Sequence, residues 1–286
     1  MTAQNPHTTN AKKAMQLLKD YTNDLQGWNL VQDNKSGVKV YNKSDGSAFP
    51  LLRGETLLSG SFSAEQVAIV ATLPGCRKIW DDKFDTAQIK QFYSVDFGLF
   101  WSKVKTPWPV SPRDMAAISY TEKTSDSVYI AVQSVKDASI PEVSGCVRAN
   151  LLMSGWKITK TNAGIAVSYI TQIDLAGSIP TSLLKSSHQQ IPLCAGTVTK
   201  YLKDHGFPPI QKECTATIVS ESFDHVKKEY AVQWSGQGNS RYEISRKMFP
   251  SGVKVKITGK AAFENKGDLV IVTGINGSAA MKLTKA

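Results

Sequence analysis

A long stretch of strand-length runs, from Trp28 to Asp174 and broken only by two short helical segments, constrains this chain more than any other feature. From Trp28 to Ser59 the runs WNLVQ, VKVYN and LLRGETLL are separated by turn residues at 34–37 and 45–46, which reads as a three-stranded meander. Further extended runs at 84–93, 97–105, 113–123, 128–135, 145–153 and 156–174 are divided by Gly, Pro, Asp and Ser. Together they predict one long antiparallel sheet. Between meander and sheet, Ser63 reads as an N-cap, and Gln66 completes a capping box ahead of VAIVATL. A second short helix, CRKIWDDKF, follows Pro74 and Gly75.

Helices bracket the strands. Residues 11–25 place Ala14, Leu18, Tyr21 and Leu25 on one side at helical spacing, ahead of Gly27. Residues 182–204 return to that period with Leu184, Ile191, Cys194, Ala195, Val198 and Leu202 on one side, and stop at Gly206. Pro192 and Gly196 inside this helix predict a kink or a weakened turn. After Lys212 the chain changes to short strands and turns. In GVKVKITG, Val253, Val255 and Ile257 alternate with Lys254 and Lys256, the pattern of a strand with one wet face. The expected organisation is an α+β domain over 10–208 and a small all-β module over 212–286.

Composition narrows the function classes. The 286 residues carry 34 basic against 24 acidic side chains, a net charge of +10, which favours an anionic partner. The lysines form no dense tract, with about +5 on each side of residue 211, so a nucleic-acid partner is not expected. Cys76, Cys146, Cys194 and Cys214 never form a CxxC pair, so no zinc or redox motif is expected, and no metal or cofactor. The sequence has no GxSxG, HExxH, P-loop or complete GxGxxG motif, and its four histidines form no catalytic spacing. The first ten residues carry no apolar signal core, and runs such as AIVATL and LVIV are too short to span a bilayer. A cytoplasmic protein that is not an enzyme is the expectation.

The element order, together with RKIWD at 77–81, TPWPVSPRD at 106–114 and a strand ending in IDLAGSIP before the last helix, resembles the START family, the steroidogenic acute regulatory protein-related lipid-transfer domains. The resemblance covers about residues 10–208. It implies a helix-grip fold, in which a curved antiparallel sheet surrounds the C-terminal helix and an internal hydrophobic tunnel holds one lipid. It also implies carriage of that lipid between membranes, with a transient visit to a membrane surface.

By the same resemblance, Arg77 and Asp81 fall where relatives that carry phosphatidylcholine hold the phosphate, so phospholipid is favoured over sterol or fatty acid. A guanidinium fork suits a buried phosphate. Phe100, Trp101, Tyr169 and Thr171 fall near the strands that contact lipid, while His188 and Ile191 lie on the helix facing the tunnel. Trp108, between Pro107 and Pro109, is the expected membrane contact. Two alternatives remain: a lipid-sensing adaptor with a protein partner on residues 212–286, and a cavity enzyme acting on a small hydrophobic substrate.

Overall fold

The opening helix is set by its apolar stripe. In the computed structural model, which describes residues 5–33 and 37–286, α1 spans Thr8–Asn23 and buries Ala11, Ala14, Met15, Leu18 and Thr22. It stops at Asn23, where Asp24 turns extended, so Leu25 lies beyond the helix and is 44% exposed. The stripe packs on Leu51, Ala131, Met153 and Ile170.

Those four residues sit on different strands of one sheet, antiparallel throughout except where β8 runs parallel to β6. The strands are β1 Asn29–Asp33, β2 Lys39–Lys43, β3 Leu51–Leu58, β4 Phe84–Ser94, β5 Phe97–Val104, β6 Arg113–Lys123, β7 Ser127–Ser134, β8 Val147–Arg148, β9 Asn150–Thr161 and β10 Gly164–Asp174. Their order is β1-β2-β3-β10-β9-β7-β6-β5-β4, with β8 alongside β6. The meander is therefore as expected, although Asn34, Lys35 and Ser36 of its first turn lie outside the described residues.

One expected break is misplaced. Residues 145–153 and 156–174 do not part at Ser154 and Gly155; β9 runs straight through them, and the turn falls at residues 162–163. Gly155 is a packing residue. A Cβ there would lie 2.8 Å from Leu18 Cδ2 and 2.6 Å from the Ile130 carbonyl oxygen, so its absence lets α1 lie against the sheet.

The closing helix is broken in the middle. Helix α4 spans Thr181–Gln190, a 3-10 turn occupies Ile191–Leu193, and α5 spans Cys194–His205. A Cβ at Gly54 on β3 would stand 1.9 Å from the Pro192 carbonyl oxygen, and one at Gly196 would stand 2.5 Å from Val38 Cγ2. Pro192 and Gly196 thus mark where the helix backbone touches the sheet directly.

The chain divides into two units. The first is Met1–Ala64 with Asp81–Thr199, and holds the large sheet, α1 and α4. The second joins Glu65–Trp80 to Lys200–Ala286. Its helices are α2 (Ala64–Thr72), which begins just after Ser63, and α3 (Pro74–Trp80), which starts on its proline. The run CRKIWDDKF is helical only as far as Trp80, because Asp81 turns the chain into β4. Its Oδ1 accepts the Lys83 backbone N–H at 3.1 Å, and its carbonyl accepts that of Phe84.

The second unit's sheet comprises β11 Ile210–Cys214, β12 Thr217–Asp224, β13 Glu229–Ser235, β14 Gln237–Glu243, β15 Val253–Asn265 and β16 Leu269–Lys285. DLVIVTG and AAMKL are one continuous strand, β16, bent at Gly274 and Gly277, both in the left-handed region. β16 pairs with β13, β14 and β15. Its core is Tyr230, Trp234, Tyr242, Val270, Val272 and Leu283, each fully buried. A Cβ at Gly75 of α3 would stand 1.8 Å from the Phe223 carbonyl oxygen, which fixes how closely that helix meets β12.

A titratable cluster joins α5 to the β12–β13 turn. Tyr201 Oη lies 2.6 Å from His225 Nδ1, Lys228 Nζ lies 3.0 Å from His225 Nε2, and the His205 and His225 rings are 4.8 Å apart. Burial, then the charges of Lys228 and His205, push His225 down to about 4, against a small opposing pull from Asp224. Burial pushes the neighbouring Cys76 thiol up to about 12. The folded state keeps His225 neutral while the unfolded chain protonates it near 6.5, so its contribution is present above about pH 6.5 and lost as pH falls toward 4. Melting temperatures measured between pH 7 and pH 4.5 should fall more for the native chain than for His225→Gln.

Candidate functional site

Strand register defines the face of the large sheet opposite α1. One row crosses six strands through Leu52, Thr171, Ser154, Val132, Ser119 and Gly98. The adjacent row runs through Gly54, Tyr169, Trp156, Ile130 and Thr121. A third pairs Phe100 with Ala117 and Ser134. Side chains of these rows alternate with those beneath α1, so they share the opposite surface. The break in the closing helix meets this surface, since Gly54 is the residue against Pro192.

The rows contain aliphatic, aromatic and hydroxyl side chains and no formal charge. The Trp156 and Tyr169 rings stack at 4.5 Å, and Ser154 Oγ donates to Tyr169 Oη at 3.0 Å. Ser102, two residues beyond Phe100 on β5, is 1% exposed, and its Oγ has no hydrogen-bond partner among the described residues. A buried hydroxyl without a partner costs about 1–3 kcal/mol, a cost that a bound polar atom removes.

The expected site residues divide accordingly. Phe100, Tyr169 and Thr171 lie on this face, and Ile191 lies in the 3-10 turn that meets it. His188 is half-buried on α4, and burial holds its imidazole below the ordinary range. Trp101 is corrected: as the strand neighbour of Phe100 it points to the α1 side, where it packs near Ala11 and its indole N–H donates to Asp114 at 2.8 Å. Arg77 lies on α3 in the second unit, with its guanidinium 5.7 Å from the Trp80 ring centroid. Asp81 belongs to the first unit and shapes the turn into β4. Trp108 is 93% exposed. Sequence reasoning missed Trp156, Ser154 and Ser102; strand alternation was the available signal, but the register that aligns them was not.

Polar groups at one end of the sheet hold the entry to α4. Arg113, 2% exposed, donates through Nη1 to the Ser111 carbonyl at 2.6 Å, through Nε to Leu175 at 3.0 Å and through Nη2 to Ala176 at 2.8 Å. Ala176 sits at φ 51°, a left-handed conformation costly for a residue with a Cβ. An open cleft of about 750 Å³ lies here, bordered by Val110, Arg113, Val147, Ile179 and Pro180. Beyond it, α4 has no buried residue. No helix among the described residues is long and apolar enough to cross a membrane, and none of their His, Cys, Asp and Glu side chains group as a metal site.

An antiparallel sheet with one face covered by an N-terminal helix and the other met by a broken C-terminal helix is a helix-grip fold. The START domain model matches residues 9–206, and the chain belongs to that family. Human StAR-related lipid transfer protein 5 has a similar fold, with a TM-score of 0.62 at 19% identity over 68% of this chain and 95% of that one. A STAR-related lipid transfer protein fragment from Xanthomonas axonopodis has a TM-score of 0.50 at 26% identity, over 62% of this chain and 96% of the fragment. An uncharacterized protein of Pseudomonas aeruginosa is 29% identical over 170 residues, 59% of this chain and 82% of that protein. All three fall short of the full length of this chain.

Proposed function

We propose that this chain binds a single lipid along the face of the large sheet opposite α1 and carries it between membranes, with residues 10–208 as the carrier domain. The observation that supports this reading is the uncharged lining, in which the Trp156 and Tyr169 pair and the rows around it offer apolar area with a few hydroxyls. Moving acyl or ring carbon from water onto such a surface releases about 25 cal/mol per Å². Specificity then rests on those few polar groups. The chemistry is binding and release, without turnover. Trp108, 93% exposed, is the residue assigned to the membrane interface.

For the headgroup, the resemblance to phosphatidylcholine carriers favours a phospholipid, with Arg77 as the residue to test for its phosphate. A second reading has its own observation: the rows carry no charge, and the orphaned Ser102 Oγ beside them suits the hydroxyl or carbonyl of a neutral lipid. Native mass spectrometry after incubation with liposomes of mixed phospholipids and sterols separates the two. A one-to-one phospholipid complex that drops at least tenfold in Arg77→Ala, with the melting temperature unchanged, supports the first. A neutral-lipid complex indifferent to Arg77→Ala supports the second, and no lipid in either protein would end the carrier reading.

A further inference from the structure

The small sheet has an outer surface opposite to its core, and lysines are concentrated on it. On β15, Lys254, Lys256 and Lys260 are exposed, while the intervening Val255 and Ile257 turn inward. Lys256 lies directly across from Lys282 on β16, and Lys254 across from Thr284. Like charges placed opposite one another across a strand pair destabilise it. Lys282 is relieved by Glu229 at 2.7 Å, but Lys254, Lys256 and Lys260 have no carboxylate within ion-pair distance among the described residues. Lys256 and Lys282 therefore face one another across the strand pair, and of the two only Lys282 has a carboxylate partner among the described residues.

The β12–β13 turn lies at the same end of the sheet as Lys254. Asp224 pairs with Glu229 at its base, Tyr230 pairs with Leu283, and Val253 pairs with Lys285, so the three segments end together. The turn carries Lys227, whose Nζ lies 3.7 Å from Asp224, and the half-buried Lys228, bound to His225, and between them and His225 it presents Val226 at 82% exposure. Lys285 is exposed beside it. An aliphatic side chain held out among ammonium groups is unfavourable in water and suited to the boundary between headgroups and acyl chains.

The geometry points to the outer face of β15 and β16, with the Val226 turn, as a docking surface for an anionic lipid bilayer. Ammonium groups on flexible stems fit a diffuse layer of negative headgroups, each contributing near the surface. Other anionic partners fit less well. The neighbouring outward positions on β16 and β13 are Thr284, Ala280, Glu229, Ala231 and Gln233, with no aromatic ring for a base to stack on. Both arginines of the module, Arg241 and Arg246, face carboxylates, Glu213 and Asp268, instead of joining the row.

The test is co-flotation of the full chain with vesicles of phosphatidylcholine alone or with 30% phosphatidylserine, alongside native mass spectrometry for bound lipid in the same samples. Binding should require phosphatidylserine, weaken in high salt, and fall about thirtyfold in Lys254→Gln/Lys256→Gln. It should be retained in Lys254→Arg/Lys256→Arg. Equal binding to neutral vesicles, no loss in the glutamine variant, or tighter binding to single-stranded nucleic acid than to anionic vesicles would overturn the assignment. The carrier reading is scored separately by lipid supplied from cyclodextrin. A chain that loads lipid but ignores anionic vesicles refutes only the docking surface; one that binds vesicles and never loads lipid refutes only the carrier.

Discussion

Gly54→Ala should cost about 3 kcal/mol of stability, near the upper end for overpacking, because the new methyl has nowhere to go. Its ideal position is 1.9 Å from the Pro192 carbonyl oxygen and 2.7 Å from the carbonyl carbon. The obstacle is backbone, so no rotamer change relieves it, and Pro192→Ala in the same chain should not rescue the loss. Either β3 or the 3-10 turn Ile191–Leu193 must move, which would loosen the contact between broken helix and sheet. Leu57→Ala, on the same strand but 49% exposed, serves as the control and should stay within about 0.5 kcal/mol. Urea unfolding gives the energies, and hydrogen exchange over residues 191–198 should rise in Gly54→Ala and not in Leu57→Ala. Equal stability of Gly54→Ala and the native chain would refute this account of the helix break.

The second large effect is at Asp114, 1% exposed beneath the α1 side of the sheet. Its carboxylate accepts the Trp101 indole N–H at 2.8 Å and the Arg148 guanidinium at 3.0 Å through Nε and 2.8 Å through Nη2. Burial alone pushes the carboxyl up, but the bonds from Arg148 and Trp101 outweigh it and hold Asp114 below the usual carboxylate range. Asp114→Ala leaves a part-buried guanidinium and an indole N–H without this acceptor, at an expected cost of about 3–5 kcal/mol. Removing both partners should cost less than the sum of the single changes, since Arg148→Ala takes away the stranded charge. The depressed pKa fixes the pH dependence. Stability from this carboxylate is present above its unfolded value near 4 and lost as pH falls through the lower folded value, so acid unfolding of Asp114→Asn should be less steep than that of the native chain.

Much of the sheet was legible because period-2 alternation is a local property. The meander, β4 to β7 and both bracketing helices are written in residues a few positions apart. What was hidden depends on distant partners. Gly155 resembles a turn until Leu18, far back in the chain, is seen above it. Gly274 and Gly277 resemble a boundary between strands, yet they bend one strand that three others share. The sheet face opposite α1 was readable in part. Neighbours on a strand face opposite ways, so Phe100 and Trp101 could not both meet one ligand, and alternation alone contains that conclusion. The rows through Ser119, Ser154 and Thr171 depend on register across strands, which a single sequence does not state.

The second unit is discontinuous along the chain, and a ribosome delivers it in two instalments. Residues 65–80 emerge early with Val67, Val70, Ala71 and Cys76 destined for burial, but their partner sheet is complete only when β16, residues 269–285, has followed. At about 5–20 residues per second, some two hundred further residues occupy roughly 10–40 s. For that interval the two helices are apolar surface waiting for a sheet. The chain therefore has a built-in delay between making its first helices and completing the unit to which they belong, and a window in which a chaperone, or another nascent copy, meets them first.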